Sequence, residues 1–180
     1  ETRINDRNQL VIPLMDVDAD FQTLQFIDEK GKKLFLSCGK KKGGFFWIGV
    51  SPEEQTPKVL LVCEGFATGA TLHEITGYPV VVAFDAGNLK PVLQRILPRF
   101  GQQAQVVIAG DNDRFSNKNT GKEAAKALAQ EFGIRWVVPS WPEGSESGTD
   151  FNDLSFQTSK EQLQQQLQAS LDLPAETPAN

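Results

Sequence analysis

The chain has 180 residues, 23% charged and 39% hydrophobic, which fits one globular domain with or without a small appendage and excludes a disordered chain. A formal net charge of −5 excludes an indiscriminate cationic coat for nucleic acid, though not a local basic patch. No apolar run reaches the length of a membrane span and no signal peptide is present, so a cytoplasmic protein with no membrane partner is expected.

The first residue, Glu1, is not Met, which reads as a piece of a longer protein. Residues 1–10 are polar and suggest no element beyond the end of a linker or helix. Leu10–Met15 reads as a strand whose Pro13 suggests a sheet edge. Thr23–Ile27 alternates and reads as a second strand, Glu29-Lys30-Gly31 as a turn, Lys33–Leu36 as a third strand and Phe45–Gly49 as a fourth. A small, mostly antiparallel β-rich lobe is therefore expected over residues 1–56, with Ser51–Lys58 as the linker out of it. Six of the chain's 18 basic residues fall between Lys30 and Lys42. The stretch Cys38-Gly39-Lys40-Lys41-Lys42-Gly43-Gly44 is a cationic loop that reads either as a solvated hairpin tip or as a contact for phosphate.

From Val59 the pattern changes to strands alternating with helices. Val59–Cys63 and Val106–Ala109 are continuous apolar runs, as expected of strands buried on both faces. Pro79–Phe84 and Ile134–Val138 read as two more strands. Helical spacing covers about 66–76, 89–100 and 121–132, followed by Gly77, Gly101 and Gly133 as stops. Asp85-Ala86-Gly87-Asn88 reads as a turn. The fold class that follows is α/β: a four-stranded parallel sheet flanked by helices over residues 57–172, preceded by the β-rich lobe. A Gln-rich helix from Ser159 to Leu171 carries Leu163, Leu167 and Leu171 on one stripe, and residues 173–180 read as a disordered tail.

In a parallel sheet, functional groups gather beyond the carboxyl ends of the strands. Glu64 follows one strand end directly; Asp111 and Asp113 follow another, in Gly110-Asp111-Asn112-Asp113. Three carboxylates brought to one edge are costly unless a cation neutralises them, so a divalent metal site is expected. Hard oxygen ligands suit Mg²⁺ or Mn²⁺. Asp150 and Asp153 follow the fourth strand and should reach the same edge. Asp85 lies there too, as a turn former or a further acid. Phe115 occupies a ligand position and the required glycine is missing, so an EF-hand is excluded; Gly121-Lys122 lacks the flanking residues of a Walker phosphate loop. Cys38 and Cys63 fit no zinc spacing and read as reduced thiols. His73 is the only histidine and reads as a surface or packing residue, which makes Ser-His or Cys-His catalysis unsupported. Tyr78, the only tyrosine, stands in a turn before a strand, so a topoisomerase-type tyrosine is not evident.

Glu64-Gly65 after the first strand and Asp111-Asn112-Asp113 after the third, within Val-Cys-Glu-Gly-Phe-Ala-Thr-Gly and Ile-Ala-Gly-Asp-Asn-Asp, resemble the signature of the TOPRIM domain shared by bacterial-type primases, topoisomerases and some nucleases. The wording is most similar to the primases of plasmids, phages and integrated mobile elements, over about residues 10–155. The resemblance implies metal-dependent synthesis of short RNA primers from ribonucleoside triphosphates on a single-stranded DNA template, with Glu64, Asp111 and Asp113 as catalytic metal-holding residues and Glu64 able to act in proton transfer. It implies auxiliary ligands at Asp150 and Asp153, and nucleotide or template contacts at Lys33, Lys40, Lys41, Lys42 and Arg114. It further implies that a helicase or zinc-binding domain belongs to the full-length protein. Two alternatives remain: a metal-dependent nuclease using the same acids, and a non-catalytic nucleic-acid-binding module of a replication protein.

Overall fold

The computed structural model of the chain describes residues 1–49 and 57–172. Most of the linker expected over Ser51–Lys58 and the expected tail lie outside these residues. Two sheets form. The first is antiparallel, in the order β1 (Arg3–Ile4), β2 (Leu10–Met15), β3 (Phe21–Ile27), β4 (Lys33–Phe35). The two-residue β1 pairs Arg3 with Val11 and Ile4 with Leu10, so the start of the chain is an edge strand rather than a linker or helix. β2 lies between β1 and β3, but β1 reaches only Leu10 and Val11, so Pro13 is paired on one side alone, with Leu24, as its missing N–H requires.

The second sheet runs β5 (Phe46–Ile48), β7 (Val80–Val82), β6 (Val59–Cys63), β8 (Gln105–Ala109), β9 (Arg135–Val137). Its four strands β7, β6, β8 and β9 are parallel, as expected for this class. The segment expected to close the first lobe instead adds an antiparallel fifth strand: Phe46, Trp47 and Ile48 pair with Val82, Val81 and Val80. Phe45 bridges back to Met15, so this short segment joins the two sheets. The alternation of Phe45 and Phe46 between faces explains the choice. Phe45 is fully buried on the face with Leu89 and Val92, while Phe46 packs on the opposite face with Ile12 and Leu14.

Five helices complete the fold: α1 (Phe66–Thr76), α2 (Ala86–Phe100), α3 (Thr120–Phe132), α4 (Phe151–Ser155) and α5 (Lys160–Leu171). α1 and α3 end on Gly77 and Gly133, both left-handed (φ 71° and 64°), where glycine carries no steric penalty. α2 begins three residues earlier than its apolar spacing suggests, because Asp85 caps it by accepting from the Asn88 N–H at 3.0 Å. α1, α4 and α5 cover one face of the sheet together with β2 of the first sheet; α2 and α3 cover the other.

From β6 the chain moves one way to β7, then crosses back over β6 to β8 and onward to β9. With right-handed crossovers this puts the connecting helices on opposite faces, and a crevice opens beyond the carboxyl ends of β6 and β8. That crevice is where Glu64 and Asp111 stand. Among the described residues no helix is long and apolar enough to cross a membrane.

Candidate metal and phosphate site

Glu64 follows Cys63, the last residue of β6, and Asp111 follows the end of β8, with Cys63 and Ala109 in register. Each keeps one carboxylate oxygen, Glu64 Oε1 and Asp111 Oδ1, buried with no hydrogen-bond donor. Leaving a buried carboxylate oxygen unpaired is expensive. Burial, Asp113 and Asp85 push the Glu64 pKa up to about 7, against the pull of the Ala86 N–H and Lys33. Burial, Glu64, Asp150 and Asp113 push Asp111 up to about 7, with Lys33 opposing. The Cys63 thiol, buried beneath these acids, is also pushed up and remains an inert thiol.

The other acids are tied to the protein. Asp113 Oδ2 accepts from Gly121 N–H at 2.8 Å, at the N-terminus of α3. Gly121 is required at this contact: a Cβ there would lie 2.8 Å from the Asp111 carbonyl oxygen and 2.9 Å from the Asp111 Cβ. Asp150 caps α4 through Oδ1, accepting from Asp153 N–H at 2.8 Å, and accepts the buried Thr68 hydroxyl on Oδ2 at 2.8 Å. Asp153 Oδ2 accepts from Thr149 N–H at 2.9 Å. Among the described residues no three acidic, histidine or cysteine side chains already form a complete cation cage. Among the described residues, the fully buried carboxylate oxygens without a donor are Glu64 Oε1 and Asp111 Oδ1; hard and unpaired, they fit a divalent cation of the Mg²⁺ or Mn²⁺ kind.

Asp85 is a helix cap and also faces Glu64. The residue before it, Phe84, is held at φ 74°, a conformation that bulky residues rarely adopt; the strained turn swings Asp85 and the first N–H groups of α2 toward Glu64.

The basic residues divide. Lys33 stands close enough to favour ionisation of both Glu64 and Asp111. Lys41 forms an ion pair with Asp85 at 2.5 Å and lies 5.1 Å above the Phe35 ring. Lys40 and Lys42 are exposed. The loop that carries them is fixed by Asn88, which is 2% exposed: its amide donates to Gly44 O and Ala83 O and its oxygen accepts from Gly43 N–H. Arg114 is engaged by the loop ahead of α4. Its guanidinium donates to Ser145 Oγ and Ser147 O and lies between the Phe115 and Trp141 rings. His73 has a packing role, with Nδ1 2.7 Å from Tyr78 O.

Sequence reading missed Thr68, Asn88 and Asn119. Asn119 accepts from Asp113 N–H and donates to Asn112 Oδ1, which fixes the Asp111–Asp113 loop. The available signal was its position as a capping asparagine just before the α3 pattern.

The acidic crevice thus lies at the switch point of a parallel sheet, with a basic loop tethered beside it. The Toprim domain family matches residues 59–161, and the chain belongs to that family. A DNA primase TraC of Escherichia coli is 36% identical over 132 residues, covering 71% of this chain and 9% of that protein, so the chain spans a small part of this relative. The primase fragment of the bacteriophage T7 primase-helicase protein has a TM-score of 0.62 at 18% identity, covering 88% of this chain and 62% of that one. The zinc-binding and RNA polymerase domains of the Aquifex aeolicus primase give 0.61 at 19%, covering 90% and 40%. Both structural likenesses concern the fold.

Proposed function

We propose that the chain is the catalytic core of a DNA primase of the mobile-element type, synthesising short RNA primers on single-stranded DNA from ribonucleoside triphosphates. The observation that carries this reading is the pair of buried, unpaired carboxylate oxygens on Glu64 and Asp111, set beside a rigidly held lysine loop. Similarity to DNA primase TraC supports primase over other members of the family.

Glu64, Asp111 and Asp113 would hold the divalent cation, with Asp150 and Asp153 supporting from behind. When bound, Mg²⁺ or Mn²⁺ supplies charge stabilisation to the reacting phosphate and to departing pyrophosphate. In nucleotide joining, the 3′-hydroxyl oxygen bonds to the α-phosphorus, the bond to the bridging β-phosphate oxygen breaks, and the hydroxyl proton must leave. Glu64 either holds the cation through Oε1 or takes that proton; one oxygen does not do both at once. Lys33 and Lys41 at the crevice and Lys40 and Lys42 on the exposed loop suit phosphate oxygens of nucleotide and template. A helicase or zinc-binding region in the full-length protein fits this reading, since the T7 relative is a primase-helicase and the Aquifex structure includes a zinc-binding domain. A cytoplasmic location fits as well.

The test is primer synthesis on single-stranded DNA with labelled nucleotides and Mn²⁺ or Mg²⁺. Wild-type chain should yield short oligonucleotides; Asp111→Ala and Glu64→Ala should yield none while keeping the wild-type circular dichroism spectrum. Degradation of the template instead would make the protein a nuclease. DNA binding that is indifferent to loss of both acids, without synthesis, would make it a binding module.

A further inference from the structure

Beside the acidic crevice the chain stacks three flat groups. The Arg114 guanidinium carbon is 4.5 Å from the Phe115 ring centroid and 4.5 Å from the Trp141 ring centroid. Its two hydrogen bonds, to Ser145 Oγ at 2.9 Å and Ser147 O at 2.7 Å, fix the stack to the loop ahead of α4. The Trp141 end is closed by protein, since a Cβ on Gly148 would lie 2.2 Å from that ring. The Phe115 end is open: the ring is 59% exposed, two residues beyond Asp113. A second ring, Phe156, is 82% exposed. Its neighbour Gln157 donates to the same Ser147 carbonyl at 3.2 Å and also meets Ser145. Two bare aromatic rings therefore flank one braced loop.

Phe115, held this way by Arg114, loses little freedom when something covers it. The loop between them carries exposed Glu143 and Glu146, which repel a phosphate, so the surface suits an uncharged, flat ligand. Nucleobases fit that chemistry, and successive bases of a single strand stack on spaced aromatics without sequence preference. The lysine loop, held to Asp85 and Asn88, is left for the phosphates. We propose that Phe115 and Phe156 form a base-stacking platform for single-stranded DNA, with Arg114 and Trp141 as the positioning residues that brace Phe115. Only the strand's role as template rests on the primase reading.

The experiment is fluorescence anisotropy of a labelled oligodeoxythymidylate and of an abasic strand of equal length, without nucleotides, using the full 180-residue chain. Phe115→Ala should weaken binding of the base-bearing strand roughly 5- to 150-fold, the range for loss of one stacked base, and leave the abasic strand unchanged. Phe156→Ala should act in the same direction, and Phe115→Trp should bind like wild type. Both phenylalanines are exposed, so melting temperatures should hold. The platform is overturned if Phe115→Ala binds the base-bearing strand like wild type, if it loses both strands equally, or if the wild type binds neither. Wild-type stacking without primer synthesis would leave the platform standing and remove the primase reading instead.

Discussion

Glu64 and Asp111 stand at the ends of neighbouring parallel strands, β6 and β8, and each has a buried oxygen that no donor reaches. Both pKa values are pushed up to about 7, well above the ordinary carboxylate range. Between that range and pH 7 the folded state binds more protons than the unfolded state. Stability from this pair is therefore full at low pH and is lost as pH rises through about 7. In chelator, the wild-type melting temperature relative to Asp111→Asn should fall by a few degrees from pH 5 to pH 8, and Mn²⁺ at pH 8 should recover it. A wild-type-minus-variant difference that is flat with pH would show that neither burial nor the neighbouring acids raise Asp111.

Asn88 satisfies three buried backbone groups at once and holds the lysine loop to α2. Asn88→Ala would orphan Gly43 N–H, Gly44 C=O and Ala83 C=O, so a loss of about 2–4 kcal/mol in urea unfolding is expected. Asn88→Asp can replace the acceptor but neither donor, and should fall at least as far. A loss below about 1 kcal/mol would mean that water replaces the amide.

Much of this was legible. The parallel strands read from their apolar residues, and α1 and α3 end at Gly77 and Gly133 because glycine takes the left-handed cap cheaply, whereas Gly101 after α2 is right-handed. The acids were legible because strand ends in such a sheet share an edge. The partner of Phe46–Ile48 was not: three apolar residues carry no information about which edge will accept their hydrogen bonds. Nor was Asp85–Asn88 as a helix start, because Gly87 and Pro91 blur the helical pattern just where the cap stands. Thr68 and Asn88 were invisible as site residues, since a polar residue reveals its burial only through partners distant in sequence. The engagement of Arg114 with Trp141 was not legible, because it depends on a loop 27 residues away.

Asp150 uses both oxygens within the protein, one to cap α4 and one to receive the Thr68 hydroxyl. Asparagine caps as well as aspartate does, whereas alanine does not. Asp150→Asn should keep wild-type stability and Asp150→Ala should lose about 1–2 kcal/mol. Isothermal titration with Mn²⁺ then separates support from ligation. Asp150→Asn should still bind the ion, with affinity lowered about 10- to 100-fold as for an outer-shell residue. Abolished binding would make Asp150 a direct ligand.

Gly121 reverses the usual rule for glycine in helices. In an exposed helix, Gly→Ala stabilises by about 1 kcal/mol, because alanine loses less backbone freedom on folding. Here an added Cβ would enter the space of the Asp111 backbone, at 2.8 Å from its carbonyl oxygen. α3 would have to slide away from β8, and the bond from Gly121 N–H to Asp113 would lengthen. Gly121→Ala should therefore destabilise the chain by about 1–3 kcal/mol, the usual cost of overpacking, and weaken Mn²⁺ binding through the displaced Asp111–Asp113 loop. A neighbouring exposed position on the same helix, Lys126→Ala, serves as the control and should change neither quantity. If Gly121→Ala raises the melting temperature instead, the close approach between α3 and Asp111 is not what holds the acids in place.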